Sequence, residues 1–445
     1  MELFDDLKLL SAHFKNGMMM LPYYYYAIVT KMNSQISSST DNSKKISRLQ
    51  RWKNLLQGLR NFKLRRRKIL IFSHTLFENI RDGKFVNNLH GSYFDLYKSD
   101  TLLMEDSDND YCWRTRDSYS NLSFVNTFLL LISGICSSIL HRIHSLRNDD
   151  YQKFVSLSSD LFSYDSLSRV DYYTRIYRFL LKILFKIVKP RIVMVNCGSY
   201  GGDMAIVCYV AKQMGIKVIE PQHGSTYHNW AYEVSETVAN SDEYKKYLPD
   251  VFFAFGDYWL NNIKWHYEKI AVGFQFLNQY VSESKEKTVT HDFLVVSQPI
   301  DEFYPGSGKK EFVKELALSY PDSRILFRIH PSENLESQKT IYIDYPNIEV
   351  VSSSSVLYED IMRCRFVIGW FSTCLFEVLA FNKCPIIVDT EPSRQYFPHD
   401  VGVWIKKPDE LRDIGIDNLN HIDNYEQFWA TDFSNNVQKY INKLL

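Results

Sequence analysis

The chain has 445 residues, and its 52 Lys plus Arg balance 52 Asp plus Glu, so no global field recruits a polyanion and nucleic acid is not expected as a partner. Its length accommodates two domains of ordinary size, each with its own core. Seven cysteines, odd in number and without CxxC or Cys/His clustering, argue against a disulfide framework and a structural zinc site and fit a reducing cytoplasm.

The opening MELFDDLKLL lacks the basic start, apolar core and small-residue cleavage site of a secretory signal. Residues 1–68 read as a helical lead-in. Ser, Asn and Lys dominate 35–45, as in a flexible loop. Leu49, Trp52, Leu55, Leu56, Leu59 and Phe62 then recur at helical spacing among many Arg and Lys. Such a basic amphipathic helix suits either an anionic membrane surface or packing between domains.

Residues 69–281 are expected to form a first α/β domain, with buried strands at 68–73 and 101–104. The second runs into Glu105, Asp106, Ser107, Asp108, Asn109 and Asp110. Tyr111 stands where a calcium loop turns on glycine, so a solvated acidic loop is expected there rather than a metal site. Residues 124–140 are apolar but interrupted by Asn126, Thr127, Ser133, Gly134, Ser137 and Ser138, which predicts a buried helix rather than a membrane span. Residues 151–190 are helical by pattern. Arg175, Arg178, Lys182, Lys186 and Lys189 are placed on one face, opposite Phe179, Leu180, Ile183, Leu184 and Ile187.

The stretch that follows Pro190 reads as strand (192–195), glycine-rich turn (Gly198, Gly201, Gly202), helix (203–214), turn at Gly215 and strand (217–219). This is a βαβ unit, which implies parallel strands. Its glycines do not spell GxGxxG, but they let a backbone or a ligand approach the helix start. The second strand ends in Gln222, His223 and Gly224. Ligands of parallel α/β folds sit at the carboxyl ends of strands, where a histidine is suited to take a proton from an attacking hydroxyl. His228 follows five residues on. Two more short strands are expected at 249–255 and 270–273, and the polar run 282–292 is read as a linker.

Residues 282–425 are expected to form a second α/β domain, with a strand at 293–297, a helix at 309–318 and a strand at 324–329 stopped by Pro331. That leaves Arg328 and His330 at the carboxyl end on one face, a cation and an imidazole suited to a phosphate that gains charge as it leaves. A strand at 348–351, a Ser-rich turn and a helix at 357–362 lead to 366–389, FVIGWFSTCLFEVLAFNKCPIIVD. This again reads strand, helix, strand, with Ser372 and Thr373 at the helix start and Glu377 a turn on. They are either an ordinary cap on a core helix, or donors to a phosphate and an acceptor for a ribose. A C-terminal helix, 426–445, is expected to pack across the domains.

Together, Gln222-His223-Gly224, Arg328-x-His330-Pro331, and Ser372-Thr373-x-x-x-Glu377 followed by Lys383-x-Pro385 resemble bacterial surface-polysaccharide transferases of the GT-B fold. The resemblance covers about residues 190–395. It is to transferases using cytidine-activated donors: sialic acid and Kdo transferases with a His-Pro motif, and teichoic-acid polyol-phosphate polymerases with His-Gly and His-Pro motifs. It implies two Rossmann-like domains facing a cleft and an inverting, metal-independent transfer without cofactor. The donor would be a nucleotide sugar, CMP-linked by preference, and the acceptor an oligosaccharide or polyprenyl-linked glycan of capsule or O-antigen, at the inner face of a membrane. His330 would help the nucleotide leave, with Arg328 and Pro331 beside it. Ser372 and Thr373 would bind the phosphate, Glu377 the ribose, and His223 would be the base. The acidic-acidic-Gly motif of several bacterial sialyltransferases is absent, so Asp203 is an alternative base. A UDP-sugar hexosyltransferase, a CDP-polyol phosphotransferase and a non-catalytic binding protein of the same fold are the alternatives.

Overall fold

The computed structural model describes residues 6–33, 59, 61–74, 78–106, 114–158, 161–283, 288–299, 308–353, 356–414 and 425–445. The expected loop at 35–45, nearly all of the expected basic helix before residue 61, and the acidic run from 107 to 111 lie outside them. The chain divides into two compact units, each built on its own parallel sheet. The first comprises residues 1–254, 260–272 and 434–445, and the second residues 255–259 and 273–433.

In the first unit, β1 (Ile69–His74) is followed by an antiparallel hairpin, β2 (Glu78–Arg81) and β3 (Lys84–Asn87). Then come β4 (Thr101–Asp106), β5 (Leu122–Ser123), β6 (Ile192–Val195), β7 (Lys217–Pro221), β8 (Val251–Ala254) and β9 (Glu268–Ala271). The sheet order is β5-β4-β1-β6-β7-β8-β9, with every pair parallel. Strands such as ILIF and IVMV are apolar throughout because helices cover a parallel sheet on both faces, leaving no solvent side to mark with polar residues. Chain order reverses between β1 and β6, so the carboxyl ends of these two strands border the crevice where such sheets bind ligands.

The second unit repeats this plan with β10 (His291–Val296), β11 (Ile325–Arg328), β12 (Ile348–Val351), β13 (Cys364–Gly369), β14 (Pro385–Val388) and β15 (Val403–Ile405). Its order is β12-β11-β10-β13-β14-β15, again all parallel, with the reversal between β10 and β13. Phe293, Val295, Phe327, Ile368, Trp370 and Ile386 form its core with Phe312, Val313 and Leu316 of the helix Lys309–Ser319. Two doubly wound Rossmann-like sheets in one chain are what the spacing of apolar runs predicts.

Three expectations are corrected. Strand β4 extends through Glu105 and Asp106, and Glu105 is fully buried, so the acidic run begins inside the sheet and not in a solvated loop. The C-terminal segment is not one helix; a short turn at Tyr425–Gln427 precedes the helix Phe433–Ile441. The apolar run after Phe124 is helical, Val125–Ile143, but it is not a buried helix: Ile132, Ile135, Ile139, Leu140 and Ile143 are exposed.

Candidate active site

In the second unit, the chain leaves β11 through His330, Pro331 and Ser332. Pro331 follows the strand closely and has no N–H to donate to it, which ends the pairing and turns the loop across the carboxyl edge. The His330 ring is fixed from one side. Its Nδ1 lies 2.8 Å from the Ser332 hydroxyl and accepts the Ser332 N–H at 3.2 Å. A ring nitrogen that accepts carries no proton, so in the neutral imidazole the proton sits on Nε2. The His330 N–H donates to Glu333 Oε2 at 2.7 Å, and Glu333 Oε1 pairs with Lys309 Nζ at 2.5 Å. Lys309 also donates to the Gln298 carbonyl, 2.8 Å away, just past β10. Gln298 Oε1 in turn accepts the Phe371 N–H at 3.0 Å, joining the two loops that flank the reversal of strand order.

Ser372 and Thr373 occupy that second loop. Thr373 is exposed, precedes the helix Cys374–Ala380 and makes no capping bond with its side chain; the Ser372 hydroxyl is 3.0 Å from Cys374 Sγ. The ordinary-cap reading therefore does not describe Thr373. Glu377 lies one turn on, and burial pushes its carboxyl up to about 7, partly offset by a hydrogen bond from Tyr358. Two residues of the motif are held in the protein framework. The Arg328 guanidinium, buried at the end of β11, pairs with Asp360 at 2.6 Å and donates to the Ser353 carbonyl at 3.0 Å. Lys383 Nζ donates to the carbonyls of Ile361 (2.6 Å), Met362 and Cys364, closing the end of the helix Leu357–Arg363. Burial lowers its ammonium to about 8.

In the first unit, Gln222, His223 and Gly224 leave the carboxyl end of β7. Gln222 is buried and donates to the Gly224 carbonyl at 2.8 Å, which folds the loop on itself. His223 Nε2 lies 3.4 Å from Cys197 Sγ, and its ring meets Tyr200 edge to face at 5.1 Å. Burial lowers its imidazolium to about 4, so the ring is neutral at pH 7 and able to accept a proton. The turn beneath it is held by Glu220, which accepts the Ser199 N–H at 2.9 Å and the Ser199 hydroxyl at 2.6 Å. Gly201 (φ 89°) serves a backbone and not a ligand: a Cβ there would lie 2.1 Å from the Pro22 carbonyl oxygen. Gly202 (φ 61°) has open space beside it. Asp203 lies in the first turn of the helix Gly202–Gln213, accepts the Tyr173 hydroxyl at 2.9 Å, and burial raises its carboxyl to about 6. His223 and Asp203 share this edge but not their partners. His228 pairs with Glu233 at 3.1 Å.

A polar cluster at the ends of β1 and β4 was not foreseen. His90 Nδ1 meets the Ser73 hydroxyl at 2.7 Å, and Asn87 donates to Ser73 at 2.9 Å and to Glu105 at 2.8 Å. Thr115 also bonds Glu105. Burial lowers His90 to about 3, with a further contribution from His223. The register pairs Ser73 with Glu105, but the partners Asn87 and His90 come from the hairpin and the loop behind it, which no local pattern announces. Lys309, Glu333 and Gln298 were likewise missed, since each reads as an ordinary surface residue.

No family model matches the sequence, and no curated protein matches it. Among solved structures, the chain is similar to UDP-GlcNAc 2-epimerase from Methanocaldococcus jannaschii (12% identity over 84% of this chain and 99% of that one, TM-score 0.48). It is similar to MurG from Acinetobacter baumannii (10% identity, 85% and 99%, TM-score 0.44) and to the wall teichoic acid polymerase TagF (12% identity, 90% and 97%, TM-score 0.45). Likeness at this level carries no argument about substrate.

Proposed function

We propose that the chain is an inverting, metal-independent glycosyltransferase of the GT-B type. It moves a sugar from a nucleotide donor, with a CMP-linked nonulosonic acid or Kdo favoured, to a hydroxyl of a glycan or polyprenyl-linked acceptor in bacterial surface-polysaccharide synthesis. The observation that carries this reading is the His330 loop, fixed by Ser332, Glu333 and Lys309 across the carboxyl edge of a doubly wound sheet, where nucleotides bind in such folds.

In this reading the second unit takes the donor. Its phosphate meets His330 Nε2–H and the Ser372 and Thr373 hydroxyls, and its ribose meets Glu377. Arg328 acts through the strand end that it braces. The first unit takes the acceptor. The neutral ring of His223 removes the hydroxyl proton as the oxygen bonds to the anomeric carbon, and the bond from that carbon to the donor phosphate breaks, leaving its electron pair on the phosphate.

The test is a transfer assay with purified protein, a lipid-linked glycan fraction and radiolabelled CMP-, UDP- and CDP-linked donors, with and without EDTA. EDTA-resistant transfer from a CMP-sugar supports the proposal. Transfer from UDP-sugars alone moves the activity to hexose transfer, and a phosphodiester product from a CDP-polyol identifies a phosphotransferase. No transfer from any donor leaves the non-catalytic reading.

A further inference from the structure

The helix Val125–Ile143 is built inside out. A helix on a soluble surface turns its apolar stripe to the core and its polar side chains to water. Here Asn126, Ser133 and Ser137 are buried, while Ile132, Ile135, Ile139 and Ile143 point outward. Ser133 donates to the Leu129 carbonyl at 2.7 Å, Ser137 to the Gly134 carbonyl at 3.0 Å, and Tyr177 to Asn126 Oδ1 at 2.8 Å, while Asn126 Nδ2 and Thr127 Oγ1 are buried without a hydrogen-bond partner among the described residues. The four isoleucines recur at three- and four-residue steps and form a ridge about 17 Å long. Ile143 is 76% exposed, so this is no partly covered core.

The surface continues onto neighbouring elements. The neighbouring helix Tyr164–Val188 lies alongside, tied by His141 to Asp165 (2.8 Å) at one end and by Asn126 to Tyr177 at the other. Against expectation, its Phe179, Ile183 and Ile187 face outward together with Lys186, and do not lie opposite the cations. Phe62 is also exposed, meets Phe128 edge to face at 5.7 Å, and is followed by exposed Arg65 and Arg66. A groove of about 540 Å³ runs along the isoleucine helix, from Asp106 and Thr127 at the sheet's carboxyl edge, past Leu131, Ile135 and Ile139, to Arg142.

We infer that this face of the first unit lies in the interface of an anionic bilayer, with the isoleucine ridge and Phe179 among the acyl chains and Arg65, Arg66, Arg142 and Lys186 at the headgroups. An apolar ridge of this size exposed on a folded unit marks an interaction site, and the cations interleaved with it select a negatively charged, apolar partner. The inference does not depend on the donor or on catalysis.

Its test is co-sedimentation of the full chain with vesicles of phosphatidylcholine containing 0 or about 30 mol% phosphatidylglycerol, with no nucleotide present. The wild type is expected to sediment with the anionic vesicles, less so at high salt, and weakly with neutral ones. Ile135→Asp/Ile139→Asp, at exposed positions, should abolish sedimentation while keeping the wild-type circular dichroism and Tm. Lys186→Glu, which leaves the ridge intact, should weaken partitioning roughly five- to tenfold. A wild type that stays in solution, or a double Asp variant that sediments like it, overturns the inference. So does a wild-type dimer in analytical ultracentrifugation that the Asp variant dissociates and that binds no vesicles, since the ridge would then belong to a second copy.

Discussion

Lys309 and Glu333 form an ion pair 2.5 Å long in which each side chain is only 3% exposed. A pair so buried contributes little net stability, because desolvation offsets most of the attraction, but breaking one side leaves a lone charge indoors. What the pair does locally is connect the end of β10 to the His330 loop. Lys309→Met alone is expected to cost about 3–5 kcal/mol in urea unfolding, and Lys309→Met/Glu333→Leu clearly less than the sum of the two single changes. Additive losses would show that the pair is not coupled.

His330→Ala should lower kcat/KM by two to four orders of magnitude, the usual range for loss of a proton-handling side chain, with Tm unchanged. His330 lies beyond the end of β11 and its ring bonds Ser332 of its own loop, so its loss spares the sheet core. Near-normal turnover would remove it from the mechanism.

The acid limb of the pH profile identifies the base. Burial holds His223 near 4 and Asp203 near 6. With His223 as base, kcat at saturating donor should show no limb near 6 and fall only towards pH 4, and His223→Ala should abolish transfer while Asp203→Asn retains it. A limb near 6 that disappears in Asp203→Asn assigns the base to the carboxylate instead.

Glu220 predicts a stability change of definite sign. Its carboxyl is raised from 4.5 to about 7 by burial, so between those values the folded chain holds a proton that the unfolded chain has released. Stability from this group is complete below pH 4.5 and is lost as pH rises towards 7, on the order of 3 kcal/mol in total. His90 and His223, lowered by burial, act in the opposite sense and lose stability as pH falls below 6.5. In Glu220→Gln, ΔG of unfolding should therefore fall less steeply between pH 5 and 8 than in the wild type. An unchanged slope would mean that the carboxyl titrates normally.

Two glycines separate backbone need from ligand access. Gly201→Ala places a methyl against the Pro22 carbonyl at positive φ and should destabilise the chain by well over 1 kcal/mol. Gly224→Ala meets open space and should leave Tm within about 1 °C of wild type. Equal effects would show that the loop around His223 is as tightly packed as the turn at Gly201.

The sheets were readable in advance because a strand buried on both faces must be a continuous apolar run, as ILIF, IVMV, ILFR and PIIV are. The positions of Gln222, His223, His330, Ser372 and Thr373 followed, since each comes just after such a run. The partners of those residues did not. Arg328 reads as a phosphate ligand because Asp360, thirty-two residues on, carries no mark of their pairing. Glu105 reads as loop because nothing local shows that Asn87 and Thr115 satisfy it inside the sheet. The isoleucine helix was misread for the opposite reason: its serines suggest a core helix with a few tolerated hydroxyls, and only burial reveals that they face inward.

Nucleotide binding by the second unit is tested by a thermal-shift titration of the purified chain with CMP, CDP, UDP and GDP in EDTA. A nucleotide that binds only the folded state adds about 2.7 kcal/mol at a hundredfold excess over its Kd. A nucleotide-dependent transferase of this kind should show saturable stabilisation by a cytidine nucleotide, CMP above all, that is diminished in His330→Ala. No shift with any of the four would contradict a nucleotide-dependent transferase.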